Sequence, residues 1–200
     1  MVTAERRRFY ALTVTRVDRL CEDAVAITFD VPPERGELFR FRPGQSLTLR
    51  RHDDRRSYSV CSPAGHPLRI GVREVAGGRV SGWLVRCARA GDTIEVQPPA
   101  GSFTPDIATP ARHVLIAAGS GITPILSIAA SVLAHPDAEA TLLYGNRRSD
   151  SVMFADEVAD LKDSHAARLQ LVHVLSREAQ EVELFTGRMD AVKLRRLLPA

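Results

Sequence analysis

An antiparallel β-barrel followed by an α/β domain with a parallel sheet is the fold this sequence predicts, and three observations predict it. Six short runs of alternating apolar and polar residues, divided by turn chemistry, lie within residues 10–96. Prolines at 98, 99, 105 and 110 then break any regular pattern. Strand-like and helix-like runs alternate beyond them, an order that implies parallel strands joined by right-handed crossovers.

The elements follow in order. Runs at 10–17 and 25–31 alternate, and Pro32-Pro33 closes the second. Arg42-Pro43-Gly44-Gln45 is a turn: proline presets one φ and glycine supplies a positive one. Strands are expected at 45–50, 55–62, 68–75 and 93–96, with a short helix at 81–86. The stretch from Pro98 to Phe103 reads as neither strand nor helix. In the second half, strands are expected at 113–118, 140–144 and 169–175. Helices are expected at 124–133, 153–161 and 191–198. The domains are therefore 1–104 and 112–200, with 105–111 as their connection.

Composition narrows the function. Of 200 residues, 44% are hydrophobic and 26% charged, the profile of a soluble globular protein. A net charge of +3, with basic runs no longer than Arg6-Arg7-Arg8, gives nucleic-acid binding little support. No apolar stretch is long enough to span a bilayer, and the amino terminus lacks a signal-peptide core. The widely spaced Cys21, Cys61 and Cys87 argue against a disulfide framework and against an iron–sulfur or zinc site made by this chain alone. The six histidines show no metal-ligand spacing. Ser120 has no convincing His and acid partners for a hydrolase triad. A reducing, cytoplasmic compartment is expected.

Four stretches carry candidate chemistry. In Arg55-Arg56-Ser57-Tyr58-Ser59-Val60-Cys61-Ser62, strand alternation puts Arg56 and Tyr58 on one face and Ser57 and Ser59 on the other. A guanidinium fork, a stacking ring and two hydroxyls suit an aromatic ring system carrying a phosphate. The same residues also fit an edge strand blunted by charge. Gly77-Gly78 and the helix after it form an anion-binding arrangement, with Ser81 where an N-cap would sit. The alternative is a plain hairpin with Trp83 as a core anchor. Gly119-Ser120-Gly121-Ile122-Thr123-Pro124 joins a strand to a helix where ligands of parallel sheets bind. Thr123 is placed to cap that helix and Pro124 to open it, while Gly119 and Gly121 let a dinucleotide approach the backbone. Lastly, Ser176 and Arg177 follow the third parallel strand and could meet a 2′-phosphate, a role Arg147 after the preceding strand could share. A solvated turn fits them equally well.

Taken together, these residues resemble the ferredoxin–NADP reductase superfamily of flavoproteins over nearly the whole chain. Arg56-Ser57-Tyr58-Ser59 matches that family's flavin-binding strand. The resemblance implies that Arg56 holds the FAD diphosphate, Tyr58 stacks on the isoalloxazine and Ser59 tunes flavin N5. Ile70-Gly71-Val72-Arg73 with Gly78-Arg79-Val80-Ser81 resembles the second flavin motif, implying FAD contacts from Ile70, Val72, Arg73, Gly78, Val80 and Ser81. The Gly119–Pro124 loop resembles the nicotinamide dinucleotide loop, with Thr123 positioning the nicotinamide. Within the superfamily, Leu143-Tyr144-Gly145-Asn146-Arg147-Arg148, Val174-Leu175-Ser176-Arg177-Glu178 and Leu184-Phe185-Thr186-Gly187-Arg188 look most like the reductases of bacterial phenylacetyl-CoA epoxidases. Ketosteroid hydroxylase reductases share much of the pattern.

What the resemblance implies is electron transfer from NADPH through FAD to an iron–sulfur acceptor and an oxygenase component. A NADH-dependent reductase of a ring-hydroxylating dioxygenase is a second reading. A flavin-binding relay or assembly protein that takes no hydride directly is a third. Family members continue with a further strand and a Cys-Gly-Pro motif, and the epoxidase reductases add a [2Fe-2S] domain. The α/β domain here is accordingly expected to be incomplete at its carboxyl end. An unpaired sheet edge would favour a homodimer.

Overall fold

The computed structural model describes residues 5–198. Strands β1 (Tyr10–Cys21), β2 (Ala24–Asp30), β3 (Ser46–Arg51), β4 (Asp54–Ser59), β5 (Arg69–Arg73) and β6 (Thr93–Ala100) form one antiparallel sheet, ordered β4-β3-β6-β1-β2-β5. The sheet curls, and its two end strands touch through a single antiparallel bridge, Val60 to Ile70. Period-two alternation explains the curl's filling: Leu12, Val14, Leu47, Leu49, Ile70 and Val72 are all buried in one core. The four-residue α1 (Gly36–Phe39) contributes Phe39 to that core, and α2 (Arg79–Arg86) packs against both β4 and β5 where they no longer pair.

One expectation fails here. Pro98 and Pro99 lie within β6, not in a structureless link. Pairing with β1 ends at Val96, and the register against β3 shifts between Ser46 and Thr48. Two residues without N–H therefore fall where the ladder asks for no donor, the place in a sheet that tolerates proline.

The second half contains β7 (Arg112–Ala118), α3 (Ile122–Leu133), β8 (Glu139–Asn146), α4 (Ala155–Ser164), β9 (Leu169–Leu175) and α5 (Ala191–Leu197). Its strands are parallel in the order β7-β8-β9. Ten of the twelve α3 residues are buried, because α3 lies between the sheet and the barrel. On the barrel side it meets small residues, Ala24, Ala26 and Cys61. Two hydroxyls fasten it there: Ser127 Oγ donates to the Ser62 carbonyl at 2.6 Å, and the Ala64 N–H donates to Ser131 Oγ at 3.0 Å. Helix α4 begins two residues later than expected. Met153 and Phe154 precede it, and Phe154 takes a left-handed conformation (φ 57°, ψ 34°) while almost wholly buried. For a bulky L-residue this costs about 1–3 kcal/mol, so packing must hold it. Among the described residues no helix is long and apolar enough to cross a membrane.

Candidate active site

The first site forms where β4 and α2 converge. Arg56 pairs in register with Leu49 and Tyr58 with Leu47, so both point towards the barrel side of the sheet at its open edge. Tyr58 is half-buried against the core, and burial pushes its hydroxyl up to about 12 against the pull of Arg56. Its ring rather than its ionisation is what it offers a ligand. Ser57 lies on the other face, 3.1 Å from Thr48 Oγ1, and Ser59 pairs with Ser46. Arg56 Nη2 stands 3.9 Å from Asp54 Oδ1, and Arg79 Nη2 stands 2.8 Å from Asp54 Oδ2. Two guanidiniums thus flank the first turn of α2, whose free amides add positive charge.

Gly78, not Ser81, caps α2; its extended backbone (φ −74°, ψ 108°) starts the helix at Arg79. Ser81 is buried in the first turn, where its Oγ accepts from the Val75 N–H at 3.1 Å and braces the glycine turn. A β-carbon on Gly78 would lie 2.5 Å from that oxygen and 2.9 Å from the Val75 carbonyl oxygen. Ile70, Val72 and Val80 point into the barrel core, so only their backbones can meet a ligand. A half-buried ring at the open sheet edge, two cations and helix-start amides fit a flavin that carries a diphosphate.

The second site is a cavity of about 870 Å³ outside the carboxyl ends of the parallel strands. Gly119, Ser120, Asn146, Arg147 and Ser176 line it from the sheet, and Asp23, Arg73 and Glu74 from the barrel. Gly119 has φ +51°, which glycine adopts without strain, and opens a 3-10 turn running into α3. Thr123 is therefore not the cap: Gly121 is, and Pro124 sits in the third helical position. The Thr123 hydroxyl donates to the Ser120 carbonyl at 3.0 Å, and its side chain turns to Gly71 on β5 rather than into the cavity.

The loops after β8 and β9 are laced together. The N–H groups of Ser176 and Arg177 donate to the Asn146 and Arg147 carbonyls at 2.9 and 2.8 Å. Glu178 Oε2 accepts from both the N–H and Oγ of Ser149 at 2.9 Å, which holds its carboxyl below the usual range. Arg177 is exposed and lies outside the cavity lining, as do Gly121, Thr123 and Pro124.

Arg73 projects from β5 to the α/β domain. Its Nε meets Asp23 Oδ1 at 3.0 Å, and its Nη2 donates to the Ser151 carbonyl. Among the contributors that escaped sequence reasoning as site residues are Asp54 and Arg79 at the first site, and Asp23, Glu74, Arg188 and Asn146 at the second. Asn146 is buried beside the Tyr144 hydroxyl, and among the described residues its amide makes no hydrogen bond of ordinary geometry. The nearby Tyr144 hydroxyl is committed to the Gly119 and Met153 carbonyls, both at 3.2 Å. A buried amide short of hydrogen bonds and lining a cavity fits a polar ligand there.

The Oxidoreductase FAD-binding domain matches residues 11–104, and the Oxidoreductase NAD-binding domain matches residues 115–200. The chain belongs to the ferredoxin–NADP reductase family of oxidoreductases, carrying its FAD-binding and NAD-binding domains in that order.

Particular relatives sharpen the picture. Over 197 residues the chain is 44% identical to a component protein of the 1,2-phenylacetyl-CoA epoxidase of Escherichia coli K12, covering 94% of this chain and 55% of that protein. It is 39% identical over 175 residues to the ferredoxin reductase component of 3-ketosteroid-9-alpha-monooxygenase of Rhodococcus rhodochrous, covering 84% and 50%. The chain thus spans about half the length of the curated relatives it matches. The FAD/NAD-binding domain of nitric oxide dioxygenase from Vibrio cholerae has the same fold, with a TM-score of 0.80 at 24% identity across 92% of this chain and 81% of that one.

Proposed function

We propose that this chain carries electrons from NADPH through FAD to an iron–sulfur centre serving an oxygenase component, in the epoxidation of phenylacetyl-CoA. The observation that carries the reading is the double wall of the cavity. Sheet loops line one side (Gly119, Arg147, Ser176) and the flavin-type barrel the other (Asp23, Arg73, Glu74), so a dinucleotide held there lies against the barrel. The relatives named above, an epoxidase component and a monooxygenase reductase, support the oxygenase partner. Residues 1–104 would be the FAD domain, 105–111 the connection and 112–200 the NADP domain, in a cytoplasmic protein.

Bound FAD would supply the capacity to accept two electrons and release them singly. The protein's part is to hold and orient. Arg56, Arg79 and the α2 amides grip the diphosphate, Tyr58 faces the ring system and Ser59 offers a hydroxyl near it. Gly119 admits the dinucleotide to the backbone, and Ser176, Arg177 and Arg147 meet the adenosine end. NADH use is a second reading, favoured by the position of Arg177 outside the cavity lining. A homodimer would form along β7, an edge strand whose Val114 is exposed and lies outside the cavity lining; sedimentation at rising concentration, with Val114→Lys as the disrupting variant, tests it.

Anaerobic stopped-flow mixing of the FAD-loaded protein with NADPH tests the main reading. Rapid loss of flavin absorbance is the expected result. Flavin that is reduced only by a partner protein would make the chain a relay instead.

A further inference from the structure

Strand β5 has two faces with different duties. Ile70 and Val72 fill the barrel, whereas Arg69, Gly71 and Arg73 face the α/β domain. Gly71 is the closest approach in that row. A β-carbon there would lie 2.5 Å from Thr123 Cγ2 and 2.8 Å from Phe154 Cζ. Phe154 is the buried residue in left-handed conformation, so its backbone is strained where its ring meets the side-chain-free position of β5. Arg69 lies over the ring, with its guanidinium carbon 5.4 Å from the ring centroid. The same guanidinium bridges the domains, 3.3 Å from Asp18 on β1 and 3.0 Å from Glu157 in the first turn of α4.

We propose that Phe154 is a positioning residue, an interdomain wedge seated on Gly71 and steadied by Arg69, that sets how far the dinucleotide site stands from the flavin site. A ring serving only to fill the core could be placed with ordinary backbone geometry. Here the strained turn delivers it to the boundary, beside Thr123 in the first turn of the helix under the dinucleotide loop. The wedge acts on the separation of two sites, not on the grip of either. Transfer between bound cofactors depends steeply on that separation, since a displacement of about 1 Å can cost about a hundredfold in rate. The proposal rests on NADPH-to-FAD transfer being the reaction.

The test compares Gly71→Ala and Phe154→Leu with the parent in FAD-loaded protein. Val132→Ala, a cavity made elsewhere in the same core, controls for lost stability. Flavin bleaching at saturating NADPH should fall by about tenfold or more in both variants. Affinities for FAD and NADP⁺ should stay within about twofold. Without dinucleotide, amide hydrogen exchange in β5 and the first turn of α3 should quicken more than in the control. Bleaching and exchange that change no more than in Val132→Ala overturn the wedge. Should Gly71→Ala not fold, Phe154→Leu decides. Should the parent itself not bleach with NADPH, the proposed function fails, and exchange alone then decides the wedge.

Discussion

Arg79, the first residue of α2, reaches back to Asp54, the first residue of β4, with 2.8 Å between Nη2 and Oδ2. Arg56 approaches the same carboxylate, so Asp54 holds two guanidiniums ready for an anion. Arg56→Ala and Arg79→Ala should each weaken FAD binding by roughly ten- to a hundredfold, the loss of a charge-assisted contact of about 1.5–3 kcal/mol. Equilibrium dialysis measures it. Retention of FAD as tight as the parent's in both variants would remove this strand and helix from the flavin site.

Dinucleotide choice tests the proposed contact of Arg177 with a 2′-phosphate. The ratio of specificity constants for NADPH over NADH should exceed one in the parent and shrink in Arg177→Ala, mainly through NADPH. A bidentate phosphate contact corresponds to a change of roughly ten- to a hundredfold. An unaltered ratio would leave Arg147 and Arg188 as the candidates, since both line the cavity.

Asn146 should behave oppositely in stability and in binding. Its amide makes no hydrogen bond of ordinary geometry among the described residues and has only the Tyr144 hydroxyl beside it, so Asn146→Leu removes a desolvation penalty of up to about 1–3 kcal/mol and should raise the melting temperature of the cofactor-free protein. The same change should weaken NADP⁺ binding. A variant that melts higher and binds equally well would acquit Asn146 of any contact with the dinucleotide.

Thiol chemistry should divide by burial. Cys87 is exposed and should alkylate at once, whereas Cys61 is buried and should react only after unfolding. Burial pushes the Cys61 thiol up to about 12, against about 8.5 for a free thiol. The sign follows: stability from the neutral thiol is complete below about pH 8.5 and is lost as pH rises towards the folded value. Between about pH 8.5 and 10, before tyrosines ionise, Cys61→Ala should show a shallower alkaline loss of stability than the parent. Equal slopes would contradict the assignment.

Much of this was legible because it is local. Alternation placed Arg56 and Tyr58 on one face of β4, and a glycine-rich link between strand and helix marked the loop at Gly119. Helix caps were less legible. A hydroxyl near a helix start reads as a cap until the backbone is known, and Gly78 and Gly121 take that place from Ser81 and Thr123. Pro98 and Pro99 misled for a related reason: whether a strand tolerates proline depends on which neighbour it has at that residue. Gly71 and Asn146 stand inside stretches that carry the family resemblance, yet nothing along the chain marks their roles, nor that of Asp54. The neighbours that define Gly71 and Asp54 lie up to 83 residues away, so only the fold exposes them.

Where the loops after β8 and β9 hold the adenosine end, as proposed above, their lacing limits how cofactor preference can change over evolutionary time or in the laboratory. Ser176 and Arg177 are hung from the carbonyls of Asn146 and Arg147, and Glu178 is pinned to Ser149. A donor loop grafted at 176–178 alone would inherit anchors shaped for a different guest. Residues 146–149 and 176–178 are bonded as one unit, and on that reading a transplant that carries both should switch the cofactor where point exchanges stall.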